Sequence, residues 1–378
     1  MKNINITGIY IVCNEKNLYK ERCLTGIEKK ILDQIEAFKI KNIHCKLKIL
    51  PPVKEANNIK KFFIYIFHTN YYNKYLDADY STADFIYIRR FVPISIGLVR
   101  FIKNIKKINK NCKILYEIPT YPYRNEHLQN IKSIILLFID IINRIKLIKY
   151  IDKIITYSNH NKIFGINTLK IINGINCNRI PTVKGANSLN EINLIAVGYF
   201  SFWHGYERLI KGIYNYYDKN YNSIKIYLHL VGDGPELKKY KNLVNYYRLN
   251  QYIKIYGKLD GYDLDKIYDI SDIAICSLAC HRKKIFLSSE LKSREYLARG
   301  LPIVSSVKID CISNDFKYCL YVLSNEEEID IKMIIKYYSN ILNLSKIEKA
   351  KLIREYAEKK INMVETMSPV YEYLLDKS

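Results

Sequence analysis

The sequence predicts an α/β protein of two Rossmann-like domains with a cleft between them, and three observations carry that expectation. Short apolar runs alternate with amphipathic ones in both halves, the pattern of a parallel sheet covered on both faces. A polar stretch, Pro181 to Glu191 (PTVKGANSLNE), interrupts the alternation, which then restarts. At 378 residues the chain is too long for one ordinary core. The expected division is residues 1–185 and 186–378, with the last helix free to pack back on the first domain.

In the first half, INITGIYIV (Ile4–Val12) reads as a strand. Gly26–Asn42 reads as an amphipathic helix, with Ile27, Ile31, Ile35 and Phe38 at helical spacing. HCKLKIL (His44–Leu50), KFFIYIF (Lys61–Phe67), Ala83–Arg90, Cys112–Ile118 and Ile151–Ser158 read as strands, and Ile96–Lys110 and His127–Tyr150 as helices. In the second half, Ile192–Phe200 is a strand and Gly205–Tyr217 a helix. Ile224–Gly234 is a strand ending in a glycine turn, and Pro235–Leu249 a helix opened by proline. Tyr252–Leu259 and Asp272–Ala279 are strands around a short helix, Gly261–Ser271. SSELKSREYLARGLPIVSS (Ser288–Ser306) gives a helix stopped at Gly300 and then a buried strand; the tail from Ile329 is helical.

That last helix carries Glu295 in line with Leu291 and Ala298. An acid on a core-facing stripe is costly unless paired. Either a protein donor such as Arg294 or Arg299 satisfies it, or a ligand does.

Composition is that of a soluble globular protein: 49% hydrophobic and 26% charged. The longest apolar run, Ile134–Ile142, contains Asp140 and is too short to span a bilayer. No stretch resembles a signal peptide, and the nine cysteines form no CxxC or zinc-ligand spacing. Reduced thiols and a cytoplasmic location are therefore expected, peripheral at the inner face of the membrane if the basic helices touch lipid. The net charge of +23 is uneven: residues 1–190 hold 32 Lys+Arg against 13 Asp+Glu, and residues 191–378 hold 28 against 24. The first half is suited to something anionic, or its lysines reflect codon bias. Ile88–Lys110 has Arg89, Arg90, Arg100, Lys103, Lys106, Lys107 and Lys110 and no acid, and the next long helix adds Lys132, Arg144, Lys146 and Lys149. Basic helices with apolar faces suit an anionic membrane surface; core-packed helices with solvated basic backs are the plainer reading. Nucleic acid is not an expected partner, because no aromatic–basic recognition motif is present.

Several ordered pieces of the second half carry a family resemblance: NLIAVGYFSFWHGYERLIKGI, LHLVGDGPELKKY, IKIYGKLDGYDLDKIYDISDIAICS and LKSREYLARGLPIVSS. Together they resemble the retaining glycosyltransferases of family 4, whose two-Rossmann-domain architecture is called GT-B. The resemblance implies a transfer of sugar from a nucleotide-sugar donor, bound by the second domain, to a glycan acceptor, bound by the first. A polyprenyl-diphosphate-linked acceptor in envelope polysaccharide synthesis would be typical, and no metal or cofactor is obligatory. It implies that Glu295 grips the donor ribose hydroxyls. The family's other glutamate, eight positions earlier, is replaced here by Leu287, with Ser288, Ser289 and Glu290 as polar neighbours. Where the family has Arg and Lys for the donor diphosphate, this chain has Tyr199 and Phe200, then His204 before Gly205. His204 is expected to donate to phosphate and to become cationic near its ordinary pKa of about 6.5. Lys292 is the candidate for the missing fixed charge. Gly26, opening the first helix, would let the backbone approach the sugar diphosphate, and Glu117, where the family has a histidine, would touch donor sugar or acceptor. Asp77–Asp79 and Asp263–Asp265 mimic an Asp-x-Asp metal motif out of context and read as surface acids. A sugar-nucleotide epimerase of the same fold and a basic nucleic-acid-binding protein are the rival readings.

Overall fold

The computed structural model describes residues 6–13, 18, 25–52, 58–123, 131–219 and 224–376. The chain forms two compact units: residues 1–172 with 363–378, and residues 173–362.

Unit 1 runs β1 (Ile6–Cys13), α1 (Gly26–Ile40), β2 (Ile43–Leu50), α2 (Asn58–Phe67), the short α3 (Asp79–Thr82), β3 (Phe85–Arg89), α4 (Ile96–Ile108), β4 (Lys113–Ile118), α5 (Ile131–Leu147), β5 (Lys153–Thr156), β6 (Lys162–Ile163) and β7 (Ile166–Lys170). Its sheet has the order β2-β1-β3-β4-β5-β7-β6 and is parallel except for the β6–β7 pair. The period of two shows in the core. Ile9 and Ile11 of β1, with Ile86 and Ile88 of β3, face one apolar layer; Tyr10, Val12, Phe85 and Tyr87 face the other. Helix α1 starts on a capping box, with Thr25 accepting from the Glu28 amide and Glu28 reaching back to the Thr25 amide.

Unit 2 runs β8 (Glu191–Tyr199), α6 (Tyr206–Asp218), β9 (Lys225–Asp233), α7 (Leu237–Tyr246), β10 (Ile253–Gly257), α8 (Gly261–Ile270), β11 (Ile273–Ile275), β12 (Leu287–Ser288), α9 (Leu291–Arg299), β13 (Ile303–Ser305), β14 (Lys308–Ile309), β15 (Cys319–Tyr321), α10 (Ile331–Asn340) and α11 (Lys346–Ile361). Six strands form a parallel sheet ordered β10-β9-β8-β11-β13-β15. The chain then returns to unit 1 as α12 (Met363–Thr366) and α13 (Ser368–Leu375), whose Met367, Val370, Tyr371 and Leu374 join the layer containing Ile31 and Phe38.

Two expectations change. KFFIYIF is helical, not a strand: β2 and β3 already occupy both edges of β1, and a short apolar run does not itself distinguish helix from strand. The polar stretch Pro181–Glu191 lies inside unit 2 rather than at the division. It is docked there: the Val183 amide donates to the Arg299 carbonyl (2.8 Å), the Lys184 amide to Asp269 (2.9 Å), and the Asn187 side chain to the Leu344 carbonyl (2.8 Å). His127–Asn130, expected to begin the long helix, lie outside the described residues.

Candidate active site

In unit 2 the strand order reverses at β8, which has β9 on one side and β11 on the other. The crevice beyond the carboxyl ends of such a pair is where open α/β sheets bind ligands. Strands β8 and β11 pair through Leu194–Ile273 and Ile195–Ala274, and beyond that point tyrosine hydroxyls stand between them. Tyr296 of α9 accepts the Val197 amide (2.9 Å) and lies 3.4 Å from the Ile275 carbonyl. The Tyr206 hydroxyl, at the start of α6, also lies 3.4 Å from that carbonyl and accepts a hydrogen bond from Lys292 Nζ (3.0 Å).

The loop entering α6 is held against the end of β11. The Leu278 amide donates to the His204 carbonyl (2.8 Å) and the Ala279 amide to the Trp203 carbonyl (3.2 Å). Gly205 makes this approach possible: its φ is +63°, and a Cβ there would sit 2.6 Å from the Ala279 Cβ. The imidazole of His204 stacks on Tyr206 at 5.5 Å, and its Nδ1 accepts the Ser201 amide (3.0 Å). In the neutral ring the proton is therefore on Nε2. Burial, then the nearby Lys292 and Lys283 ammonium groups, push the His204 pKa down to about 2. The expectation of a histidine turning cationic near 6.5 is thus corrected: the ring stays neutral, because charging it would bury a second cation beside Lys292.

Glu290 caps the other side. It precedes α9, and its carboxylate accepts the Ser277 hydroxyl (2.8 Å) and amide (3.3 Å), with Lys292 Nζ at 3.5 Å. The structure thus gathers His204, Gly205 and Lys292 around Tyr206, and adds Ser277 and Glu290. Tyr206 and Ser277 carried no chemical signal in the sequence beyond their places after a glycine and at a strand end.

The other candidates lie elsewhere. Glu295 is partly exposed; one carboxylate oxygen accepts from Arg299 Nε (3.2 Å), and Arg299 also pairs with Asp265 (2.8 Å). Of the two arginines considered for it, Arg299 is the partner, while the fully buried Arg294 pairs with Asp310. The Ser289 hydroxyl accepts from Asn173 and Arg294 (both 3.2 Å). Leu287 and Tyr199 are exposed, whereas Phe200 is buried against Tyr206 and Tyr240.

In unit 1, Gly26 is the exposed first residue of α1. The expected contact of Glu117 with sugar or acceptor is corrected. Its carboxylate has no solvent exposure and accepts from the Tyr87 hydroxyl (2.6 Å), Arg89 (2.5 Å), the Tyr157 hydroxyl (3.1 Å) and Gln34 (3.3 Å), with Lys30 at 3.8 Å. Burial alone would raise its pKa; Arg89, Lys30, Tyr87 and Gln34 outweigh that and hold it at about 2. A carboxylate so fully engaged has no lone pair facing a ligand. The Asp-x-Asp look-alikes are also accounted for: Asp77 and Asp79 pair with Lys48 and Lys46, Asp265 with Arg299, and Asp263 with Lys266. Among the described residues, no group of three or more His, Cys, Asp or Glu is placed to hold a metal ion.

Residues 191–328, which contain all of the cluster at the β8–β11 crevice, match the family model described as glycosyl transferases group 1. No curated protein matches the chain. Among solved structures, a glycosyltransferase from Rickettsia africae is 15% identical with a TM-score of 0.62, covering 99% of this chain and 100% of its own. Sucrose-phosphate synthase from Thermosynechococcus elongatus is 14% identical (TM-score 0.65; 99% and 100%), and Anabaena HepE, solved in complex with UDP, is 13% identical (0.62; 98% and 99%). The fold is GT-B, two Rossmann-like domains, and residues 191–328 of unit 2 are similar to glycosyl transferases group 1.

Proposed function

We propose that the protein transfers a sugar from a nucleotide-sugar donor, held by unit 2, to a glycan acceptor, with retention of anomeric configuration and no obligatory metal. One observation carries this reading: Lys292, hydrogen-bonded to Tyr206, the His204 ring stacked on Tyr206 and the start of α6, which has no side-chain cap, meet at the switch point of a parallel sheet. Such a set suits a diphosphate leaving group, whose charge grows as the glycosidic bond breaks. Neutral His204 lends a directed hydrogen bond without a second buried charge, and Lys292 supplies the fixed one. Tyr206 and Glu290 hold the lysine in place. The partly exposed Glu295 is assigned to the ribose hydroxyls, which can donate to its free lone pairs. In the transfer step the bond from the anomeric carbon to the diphosphate oxygen breaks. A bond to the acceptor oxygen forms on the same face, and the acceptor proton passes to the departing phosphate.

The solved HepE complex with UDP, on the same fold, supports a uridine nucleotide as the first donor class to try. The test is a thermal-shift screen of nucleotide sugars against the native chain, Lys292→Met and Glu295→Ala. A donor that raises the melting temperature of the native chain and of neither variant supports the site. Equal stabilisation of all three chains removes it. Accumulation of an isomerised donor without transfer would make the enzyme an epimerase.

A further inference from the structure

The charge of unit 1 is not spread evenly over its surface. In the basic stretch Ile88–Lys110, Arg89 pairs with Glu117, Arg90 with Asp140 and Lys106 with Asp152. Arg100 and Lys103 of α4 have no ion pair among the described residues, and neither do Lys146 in the last turn of α5 and Lys149 in the 3-10 turn that follows it. These four side chains line one recess of 260 Å³ together with Thr69, Ile96, Val99 and Tyr150, and no carboxylate lines it. Four unneutralised cations around a small recess repel one another unless an anion sits among them.

Next to the recess the same helix is greasy on its outer face. Ile134, Ile135, Phe138, Ile142 and Ile145 of α5 are all exposed, Phe138 by 63%. At 100° per residue they fall within one stripe, and Lys146 falls on its edge. Helix α2 packs alongside, its Tyr65 carbonyl accepting from Asn143 (3.3 Å), and adds the exposed Phe63 and Phe67. On the far flank of the stripe, Arg144 stands in an apolar groove of 530 Å³ with Ile134, Leu137, Phe138 and Phe164. An exposed apolar face of this extent marks an interaction site. No helix of the described residues is long and apolar enough to cross a membrane.

We infer that this face of unit 1 docks on an anionic lipid bilayer. The phosphates of anionic phospholipids occupy the recess of Arg100, Lys103, Lys146 and Lys149. Phe63, Phe67, Phe138 and Ile145 enter the headgroup–acyl boundary. Charge complementarity selects the bilayer over other apolar partners: the cations rim the stripe and no acid lies among them, the arrangement of a surface-lying amphipathic helix. The inference stands whether or not the chain transfers sugar.

The test uses the full chain and vesicles of phosphatidylglycerol and phosphatidylcholine mixed, or phosphatidylcholine alone. The native protein is expected to cosediment with the mixed vesicles, at least about tenfold more than with the neutral ones, and to be released as salt rises. Lys103→Glu/Lys146→Glu/Lys149→Glu should abolish the preference for the anionic vesicles. Phe138→Asp/Ile145→Asp should weaken binding to the mixed vesicles at low salt. All these side chains are partly or fully exposed, and an unchanged circular dichroism melt confirms that the variants fold. Equal binding of the native chain to both vesicle types overturns the inference, as does binding that neither variant alters. If Phe138→Asp/Ile145→Asp turns a dimer into a monomer in sedimentation velocity and leaves vesicle binding intact, the face is a protein interface and the inference fails.

Discussion

Two carboxylates show how alike a structural acid and an acid of the proposed site look before folding. Glu117 lies near the end of β4 in unit 1, and Glu290 precedes α9 in unit 2. Each is near the carboxyl edge of a parallel sheet, where ligands collect. Glu117 is sealed from solvent beneath donors from α1, β1, β3 and the end of β5. Glu290 keeps some exposure and meets a serine and a lysine. The sequence reading placed Glu117 in the site and left Glu290 as a neighbour; their surroundings reverse that order. What separates them is the supply of donors from residues distant in sequence, such as Tyr87, Arg89 and Tyr157 around Glu117.

The largest effect should come from breaking the sealed member of the pair. Glu117→Gln leaves the Arg89 and Lys30 cations buried without a counter-charge and is expected to cost about 3–5 kcal/mol of stability, read by chemical denaturation. Acid should act the same way. Its folded pKa of about 2 lies below the ordinary 4.5, so its contribution is complete above pH 4.5 and is lost as pH falls toward 2. Glu290→Gln, by contrast, should leave the denaturation midpoint nearly unchanged and lower nucleotide-sugar affinity. A large stability loss in Glu290→Gln would erase the distinction drawn here.

The fold was legible because period-two burial and helix stops are local. Ile4–Val12 reads as a strand, and in the structure its Tyr10 and Ile11 face opposite layers; Gly300 ends α9 in the left-handed conformation that glycine favours. KFFIYIF was not legible, since its place is set by which strands border β1. Of the site, His204 and Lys292 came from the family resemblance, as stand-ins for the basic residues that the family brings to the diphosphate. Their relation to each other could not be read: it passes through Tyr206, 86 residues before Lys292. The protonation of His204 likewise depends on burial and on Lys292, neither of which is written near residue 204.

Within unit 2 the next effect is on binding. Lys292→Met removes the fixed charge and is expected to weaken nucleotide-sugar affinity about tenfold to a hundredfold, by titration calorimetry. Glu290→Gln should weaken it less, because Tyr206 still accepts from the lysine. The reverse order would mean that the carboxylate, not the ammonium, meets the ligand. Gly205→Ala should follow, costing about 1–3 kcal/mol from strain at φ +63° and the clash with Ala279; a neutral outcome would show that the α6 entry relaxes freely.

The last effect is a pH slope, gentle near neutrality, and its onset separates the two units. His204 has a pKa of about 2 in the folded chain against about 6.5 when unfolded, and His229, also in unit 2, is lowered to about 4, chiefly by burial. Below pH 6.5 the unfolded state takes up protons that the folded state refuses, so stability falls as pH drops through 6.5. This window opens at pH 6.5, above the one set by Glu117, and for His204 continues through it. Each histidine contributes under about 1 kcal/mol at pH 6 and steepens to about 1.4 kcal/mol per pH unit below that. His204→Gln should therefore roughly halve the loss of stability between pH 6.5 and 5, with His229 supplying the remainder, while the loss below pH 4.5 that belongs to Glu117 persists. If the upper window is unchanged in His204→Gln, the ring is charged in the native state and the neutral donor assigned to the diphosphate is lost with it.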